Sequence, residues 1–330
     1  MADIAAEAGV SAPTVSKVVN GRSEVALSTR RRVEAVLRRQ GYEPRRSLTV
    51  VNSALVDLVF HELEGPWAME IVRGVEEVAR SAGVNVVLTD LGGKSRTPDR
   101  NWIDRVTARN TRGVIMLISD LSAQQRAQLA ARNVPFVVVD PAGEPAADVP
   151  SVGATNWNGG LTATRHLLEL GHTRIGMIGG PAHMLCSQAR IDGYRTALET
   201  AGIPYDPRLV GSGDFHVESG FVRAQELLAR PDRPTAIFAG NDLQAFGVYE
   251  AARHAGLRIP DDLSVVGFDD LPLARWLWPP LTTIRQPLTE MAAAATRLVL
   301  ARSRGEIPPN DRVELATSLI RRESTGPVTA

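Results

Sequence analysis

Apolar residues recur at helical spacing in two short stretches near the start of the chain. The positions are Ile4, Ala5 and Ala8 in the first stretch and Val15, Val18 and Val19 in the second. Gly9 lies between them, where a chain reversal needs a residue that tolerates a positive φ. Ser11 is placed to cap the second helix by accepting a hydrogen bond from the backbone N–H of Thr14, and Pro13 is tolerated in a first turn. Residues 3–21 therefore predict a helix-turn-helix, whose second helix fits the DNA major groove. A helical hairpin that only packs on another element is the simpler alternative.

A third helix is predicted over residues 28–40, with Ser28 as its cap and Gly41 at its end. Its inward-facing positions are Val33, Val36 and Leu37. Its arginines are Arg30, Arg31, Arg32, Arg38 and Arg39. Beside a helix-turn-helix, these side chains are expected to contact phosphates, which add affinity without sequence information. Residues 42–51 follow as a linker.

After residue 54 the pattern changes to short β-branched runs that alternate with amphipathic helices. The predicted strands span residues 55–60, 84–89, 113–118, 136–140, 174–179, 235–239 and 264–268. The predicted helices span residues 67–82, 99–109, 123–132, 159–170, 188–201, 217–229 and 243–255. Several runs are continuously apolar, as in strands covered on both faces, and repeated strand–helix units imply parallel sheets.

The length of this part of the chain favours two sheets over one. Near Asn156 the chain is expected to pass from a first set of four strands to a second set. Residues 282–286 are predicted as a return segment, residues 287–304 as a last helix and residues 313–321 as a final strand. Together these elements describe two doubly wound lobes with a cleft between them, where ligands bind at the carboxyl ends of the strands.

The ends of the predicted strands carry side chains suited to a polar ligand. They include His61, Glu62 and Glu64, then Asp90, Asp140, Asn241 with Asp242, and Asp269 with Asp270. Arg190 lies early in a following helix. Carboxylates, an amide and a guanidinium are the acceptors and donors that sugar hydroxyls need, and Trp67, Phe215 and Trp276 could stack on a sugar face. Taken singly, Asp90 or Asp242 could instead only cap the helix that follows it.

Composition and charge place this chain among ordinary globular proteins with one basic segment. It has 330 residues, of which 44% are hydrophobic and 22% charged, and its net charge is zero. Residues 1–50 nevertheless carry nine basic and five acidic side chains, as expected of a phosphate-binding head on a mildly acidic body. Cys186 is the only cysteine, so no intrachain disulfide can form. The sequence contains no apolar run near the ~18 residues that span a bilayer and no signal-peptide pattern at its start, so we expect a cytoplasmic protein without membrane contact.

The sequence lacks the motifs of common enzyme sites. There is no GxSxG elbow and no GxxxxGK[ST] loop, and residues 175–180 follow a strand without completing GxGxxG. The six histidines show no metal-binding spacing. We therefore expect no enzymatic activity, no metal and no cofactor, although an enzyme on the same two-lobed fold remains an alternative.

The chain resembles the lac repressor/galactose repressor family of bacterial transcription regulators over nearly its whole length. The residues that carry the resemblance are DIAAEAGVSAPTVSKVVNG (3–21), GYxP (41–44), ELGHTRIGMIGGP (169–181), RxxGY (190–194), FAGND (238–242), IPDDLSVVGFDD (259–270) and PPLTTIRQP (279–287). The resemblance implies an α/β fold, with a three-helix helix-turn-helix head and a two-lobed, periplasmic-binding-protein-like core of two doubly wound parallel sheets. The expected domains are a DNA-binding head (1–45), a hinge linker (46–54) and an effector-binding and dimerisation domain (55–330).

The same resemblance implies a homodimer whose two heads read a palindromic operator. It places Ala12, Pro13, Ser16 and Lys17 at base-facing positions and Thr14 and Asn20 at backbone-contact positions. A lysine can approach guanine acceptors without the planar fork of arginine. Leu48 is the candidate for the hinge leucine that wedges into the minor groove, within a linker shorter than is usual in the family.

For the effector cleft, the resemblance implies that five residues occupy sugar-contact positions: Asp140, Arg190, Phe215, Asn241 and Asp269. His61, Glu62 and Trp67 lie in the first loop, where members vary with their ligand, and Asp90 joins the expected site as a strand end. The loop sequence HELEGPWA resembles the corresponding loop of family members that respond to xylose or xylan-derived sugars. The expected function is repression of carbohydrate-utilisation genes, relieved by a sugar effector. The alternatives are a corepressor-dependent or activating regulator of the same family and, from another class, a transport-type sugar-binding protein.

Overall fold

The computed structural model of this protein describes residues 2–19, 25–39, 55–92, 102–118, 121–306 and 309–328. The chain divides into two compact units, Met1–Ser53 and Ala54–Ala330. Each unit has its own hydrophobic core.

The described residues of the first unit form three helices around a small core. They are α1 (Ala2–Ala8), α2 (Ala12–Val19) and α3 (Leu27–Arg39). The core consists of Ile4, Ala5, Ala8, Val15, Val18, Val33, Val36 and Leu37, all buried. Gly9 has φ +61°, and the backbone N–H of Thr14 donates to Ser11 Oγ at 3.4 Å, which confirms the predicted turn and cap. The predicted cap at Ser28 is wrong, because α3 begins one residue earlier and Ser28 lies in its first turn.

The second unit alternates strands and helices in the described residues. Its strands are β1 (Leu55–Phe60), β2 (Asn85–Asp90), β3 (Val114–Leu117), β4 (Phe136–Val139), β5 (Ser151–Ala154), β6 (Ile175–Gly179), β7 (Val210–Ser212), β8 (Ala236–Ala239), β9 (Ser264–Asp269), β10 (Thr282–Arg285), β11 (Arg312–Leu315) and β12 (Ser318–Ile320). Its helices are α4 (Gly65–Ser81), α5 (Trp102–Ala108), α6 (Ala123–Ala131), α7 (Asn156–Glu169), α8 (Leu185–Thr200), α9 (Val217–Leu228), α10 (Asp242–His254) and α11 (Leu288–Ser303).

Two six-stranded sheets organise the second unit, which confirms the predicted doubly wound lobes. The first has the order β11-β5-β4-β3-β1-β2, and the second has the order β12-β10-β9-β8-β6-β7. All neighbouring strands run parallel except β12, which pairs antiparallel with β10. In each sheet the strand order reverses beside its first strand, and this switch point is where doubly wound sheets bind ligands.

The chain crosses between the two lobes three times. It leaves the first lobe between β5 and α7 and returns between β10 and α11, since α11 packs on α4 and on β3, β4 and β5. The third crossing lies between β11 and β12, which belong to different sheets. Two of these crossings are joined side by side, because the hydroxyls of Thr155 and Thr317 are 3.1 Å apart.

Sequence patterning missed three strands and misread a fourth. It omitted β5 and β7, because β7 is a three-residue edge strand and β5 has only four residues, among them a serine and a glycine. Residues 282–286, predicted only as a return segment, contain β10, which pairs along β9. The single strand predicted over residues 313–321 is wrong, because the chain crosses between lobes there and forms β11 in one sheet and β12 in the other.

Glycines allow α7 and α8 to pack in close contact, and this packing positions Arg190. A Cβ atom on Gly193 would lie 2.2 Å from the carbonyl oxygen of Trp157, and one on Gly160 would lie 2.2 Å from that of Arg190. Only a residue without a side chain fits either place. The backbone of Arg190 is therefore pressed against α7, and its side chain extends toward the space between the sheets.

None of the helices in the described residues is both long enough and apolar enough to cross a bilayer.

Gly193→Ala is expected to lower the free energy of unfolding by about 1–3 kcal/mol, because the added methyl forces α7 and α8 apart. Gly153→Ala is the matched control, since a Cβ atom there meets nothing within 4 Å. Urea unfolding of the two variants followed by circular dichroism measures the difference. Equal midpoints for both variants would contradict the close-packing role of Gly193.

Candidate functional site

A cavity of about 290 Å³ lies between the two lobes. It is built from segments that follow strands of both sheets, in the position that doubly wound sheets use for ligands. Its lining comprises Phe60, His61, Glu62, Glu64, Gly65, Trp67, Leu117, Ile118, Asp140, Met184, Cys186, Arg190, Asp214, Phe215, His216, Asn241, Leu243 and Asp269. The structure thus brings together eight of the nine residues that the sequence assigned to the effector site.

Arg190 is the central cation of this cavity and is only 3% exposed. Its Nε donates to Asn156 Oδ1 at 2.9 Å, its Nη1 to the carbonyl oxygen of Gly240 at 2.6 Å, and its Nη2 to Gln286 Oε1 at 3.0 Å. Its guanidinium carbon lies 3.7 Å from the centre of the Phe268 ring. These bonds use three of its five N–H groups, so one N–H on each Nη atom remains for a ligand.

Two buried carboxyl groups lie beside Arg190. Asp269 Oδ1 is 3.7 Å from Arg190 Nη2, which is ion-pair distance, and it accepts no hydrogen bond from any described residue. Burial raises the pKa of Asp269 to about 7 against the opposing effect of Arg190. Burial also raises the pKa of Asp140, with Arg190 again opposing. Asp269 Oδ1 is therefore an acceptor suited to a ligand hydroxyl.

Aromatic side chains from both lobes border the polar groups. Trp67 comes from the first turn of α4, and Phe215 comes from the loop after β7. Phe215 fits because residue 180 is glycine, where a Cβ atom would lie 2.0 Å from its ring. The backbone carbonyl of Phe215 accepts from Asn241 Nδ2 at 3.0 Å. These rings offer the flat apolar surfaces on which sugar rings stack.

Several lining residues have left-handed backbone conformations. They are Ile118 (φ 46°), Asp140 (φ 49°), Phe215 (φ 71°) and Asp269 (φ 109°). Non-glycine residues adopt these conformations at a cost of order 1–3 kcal/mol each, and such strain concentrates at binding sites. Three of these residues, Ile118, Asp140 and Asp269, end a strand or directly follow one.

Asn241 has two structural roles beside its place in the cavity wall. Its Oδ1 accepts from the backbone N–H of Gln244 at 2.9 Å, so it caps α10, and its Nδ2 donates to the backbone carbonyl of Phe215.

The exposed residues at the solvent end of the cavity include Glu62, which lies 3.9 Å from His216 on the other lobe.

The expectation that Asp90 joins this cavity is wrong. Asp90 is exposed, and its Oδ1 turns back to accept from the backbone N–H of Gly92 at 2.9 Å. Trp276 is also outside the cavity and is 85% exposed. Asp242 neither lines the cavity nor caps α10, since its buried carboxylate accepts from the Leu271 N–H and the Thr283 hydroxyl.

Sequence reasoning missed several lining residues and both polar supports of Arg190. Asp214 and His216 flank Phe215 in a loop after a strand that was not predicted, and Met184 belongs to a loop without a recognised pattern. Asn156 and Gln286 do not line the cavity, and they lie where the chain crosses between lobes. The only signal for them was their place at predicted crossings.

The helix-turn-helix presents the residues assigned to base contact on one side of α2. Ala12, Pro13 and Lys17 are exposed, whereas Thr14 and Ser16 are half-buried. Asn20 and Leu48 lie outside the described residues, as does the linker. On α3, Arg39 Nη2 pairs with Glu7 Oε1 of α1 at 3.0 Å, so that arginine also stabilises the helical packing.

Across the described ranges, from residue 2 to residue 328 with their gaps, no group of three or more His, Cys, Asp or Glu side chains is placed to hold a metal ion.

Comparisons with known proteins find a matching family profile for each of the two parts of the chain. Residues 1–45 match the profile of bacterial regulatory proteins, lacI family, and residues 164–325 match that of a periplasmic binding protein-like domain. The HTH-type transcriptional repressor CytR of Escherichia coli (strain K12) is 34% identical over 332 residues, which cover 98% of this chain and 96% of that protein.

Two solved structures are similar over nearly the whole chain. The transcriptional regulator CelR–cellobiose complex has a TM-score of 0.75 and 34% identity, and the match covers 97% of this chain and 98% of that one. The lac repressor dimer bound to operator and the anti-inducer ONPF has a TM-score of 0.73 and 30% identity, and the match covers 98% of each chain. These relatives are regulators, not enzymes.

The raised pKa of Asp269 predicts a pH-dependent stability. The pKa of its carboxyl group rises from 3.8 to about 7 on folding. The stabilising contribution of this group to the free energy of unfolding is therefore fully present below pH 3.8 and is lost as the pH rises through 7. Asp269→Asn removes this titration. Relative to the wild type, the variant should gain up to about 4 kcal/mol of unfolding free energy between pH 4 and pH 8.

Urea unfolding of both proteins over that pH range tests this prediction. Asp192→Asn, an exposed change on α8, is the control and should leave the pH profile of the wild type unaltered. A constant difference between Asp269→Asn and the wild type at all pH values would show that Asp269 ionises normally.

Proposed function

This chain belongs to the lacI family of bacterial regulatory proteins, and from that premise we propose that it represses carbohydrate-utilisation genes and leaves its operator when a sugar fills the cavity. The observation that carries the proposal is the position of Arg190. One guanidinium faces the cavity and also holds residues at two of the three crossings between the lobes.

The DNA-binding part of the proposal rests on α2. Its exposed side carries Ala12, Pro13 and Lys17, and a recognition helix of this length fits the major groove. Lys17 offers donors for guanine, and the apolar pair can contact a thymine methyl. Two copies of the chain, related by a twofold axis, would then read the two halves of a palindromic operator, as in the lac repressor dimer bound to operator.

The sugar-binding part rests on the chemistry of the cavity. Arg190 offers two N–H donors, Asp269 Oδ1 offers an acceptor, and Trp67 and Phe215 offer rings. Sugars need this combination, because their hydroxyls both donate and accept while their ring faces are apolar. A chain 34% identical to this one is in complex with cellobiose. Xylose and xylobiose are the first candidates, because the loop after β1 resembles that of members responding to such sugars.

Control of DNA binding follows from the bonds of Arg190. A sugar that takes hydrogen bonds from its Nη atoms competes with, or reorients, the contacts to Gln286 and Gly240. Asn156 and Gln286 lie at the ends of crossings, so their movement changes the angle between the lobes. An effector preference of about 1–3 kcal/mol for one arrangement is enough to change operator affinity five- to 150-fold.

Fluorescence anisotropy on the DNA upstream of the gene tests the proposal directly. The full chain should bind one fragment tightly, and one sugar from a panel of mono- and disaccharides should release it. Release identifies an inducer, whereas tighter binding with sugar would replace induction by corepression. Sugar binding without binding to any neighbouring DNA fragment would overturn the repressor function.

Lys17→Ala is expected to remove about 1–3 kcal/mol of discrimination between operator and unrelated DNA, because a base contact is lost. Arg32→Ala, at an exposed position on α3, is the comparison and should weaken binding to both DNAs alike if it contacts phosphate. Anisotropy titrations with the two DNAs measure both effects. Unchanged discrimination in Lys17→Ala would exclude this side chain from base recognition.

Arg190→Lys is expected to weaken the sugar response about tenfold to hundredfold, because lysine keeps the charge but loses the planar fork. Arg195→Ala is the matched control on the same helix, where the exposed Arg195 pairs with Glu199. The sugar concentration at half-release of DNA is the readout, with operator affinity measured alongside. A normal sugar response in Arg190→Lys would place the ligand elsewhere.

A further inference from the structure

The cavity carries more negative than positive groups. Five carboxyl groups line it, and Arg190 is the only arginine or lysine among its described lining residues. Two of the five, Asp140 and Asp269, are buried beside Arg190, whereas Glu62, Glu64 and Asp214 are exposed at the solvent end. A ligand therefore passes three carboxylates before it reaches the guanidinium.

The charge of Arg190 is already balanced inside the cavity. Asp269 lies 3.7 Å from its Nη2, and Asp140 acts on it electrostatically. An anionic ligand would bring a further negative charge close to these two buried carboxyl groups. Like charges in a poorly solvated site repel strongly.

Two of the helix N-termini at the cavity, those of α4 and α9, have a carboxylate side chain beside them. Glu64 is the N-cap residue of α4, and Asp214 accepts from the backbone N–H of His216, the N-cap residue of α9, at 3.0 Å. Negative side chains thus lie near the positive ends of these two helix dipoles, although the Glu64 carboxylate makes no capping hydrogen bond.

The buried acceptor also favours a ligand with hydroxyl groups. Asp269 Oδ1 is buried and accepts no hydrogen bond from the described residues. A sugar hydroxyl can donate to it, whereas an ionised carboxylate or phosphate ester group has only acceptors to offer.

We propose that Glu62, Glu64 and Asp214 form a charge filter that admits uncharged sugars to the cavity and repels the same sugars bearing a phosphate or carboxylate group. This inference rests on the sugar-binding function proposed above and adds that the site discriminates uncharged sugars from anionic ones. The filter uses both lobes, since Glu62 and Glu64 precede α4 and Asp214 follows β7. Closure of the lobes would bring the three carboxylates nearer to the bound ligand.

Calorimetric titration of the full chain with matched sugars tests the filter. The probes are xylose, xylobiose, ribose, glucose, galactose and cellobiose, each paired with its terminal phosphate ester, at pH 8, where ordinary histidines are neutral. For the sugar that binds, the phosphate ester should bind at least about tenfold more weakly. The ratio of the two dissociation constants should fall when the salt concentration rises from 0.05 M to 0.5 M, because salt screens exposed charges.

Two variants assign the effect to the named side chains. Glu62→Gln/Glu64→Gln should reduce that ratio severalfold, and adding Asp214→Asn should reduce it further. The double variant keeps Asp214, which accepts from the backbone N–H of His216, so it keeps the test valid if the triple variant folds poorly. Glu218→Gln, an exposed change in the first turn of α9 outside the cavity lining, is the control and should leave the ratio unchanged.

The outcomes distinguish a failure of the charge filter from a failure of the sugar-binding function on which it rests. Equal or tighter binding of the phosphate ester overturns the filter and leaves the sugar-responsive function intact. An unchanged ratio in the two variants overturns the assignment to these three carboxylates. Failure of every sugar and ester to bind overturns the proposed sugar-binding function, and the filter with it.

Discussion

Burial of the Arg190 guanidinium is the constraint on which the cavity depends. A buried cation is stable only when its charge is paired and its N–H groups are bonded. Here Asp269 supplies charge at 3.7 Å, while Asn156, Gly240 and Gln286 accept three hydrogen bonds. These partners come from a crossing, a strand end and a second crossing, so one side chain joins elements that are distant in sequence. Arg190 thus links the cavity wall to residues at two crossings between the lobes.

Close helix packing makes this burial possible. Gly160 and Gly193 let α7 and α8 approach within contact of each other's backbone, and Gly159 leaves room for the Phe268 ring on which the guanidinium lies. The electrostatic price appears at Asp269, whose pKa rises to about 7 because the carboxyl group is buried with only one nearby cation. Asp269 Oδ1 is buried, accepts no hydrogen bond from the described residues and is therefore an acceptor available to a ligand.

The head and the second unit differ in how their cores are built and in which elements carry their exposed or cavity-lining groups. Among the described residues of the head, eight small or medium apolar side chains form the buried core, and one side of α2 is exposed. In the second unit, each sheet is covered by helices, and the ligand-facing groups stand on strand ends with strained backbone such as Asp140 and Asp269. Rigid sheets can hold such conformations, whereas an isolated loop would relax.

Local sequence determined the helix-turn-helix and most of the other helices and strands, because helix periodicity, caps and buried β-branched runs act over a few residues. It also placed Asp140, Asn241 and Asp269 at strand ends, and strand ends of parallel sheets meet on one side. It did not distinguish Asp90 from Asp140, since both follow apolar strands, and only the fold turns Asp90 back onto Gly92 while it buries Asp140 near Arg190. Tertiary structure alone decided the split of residues 312–320 between two sheets, the pairing of Arg190 with Asn156 and Gln286, and the addition of Asp214 to the carboxyl groups of the cavity. These features depend on contacts between residues far apart in the chain, which no local pattern encodes.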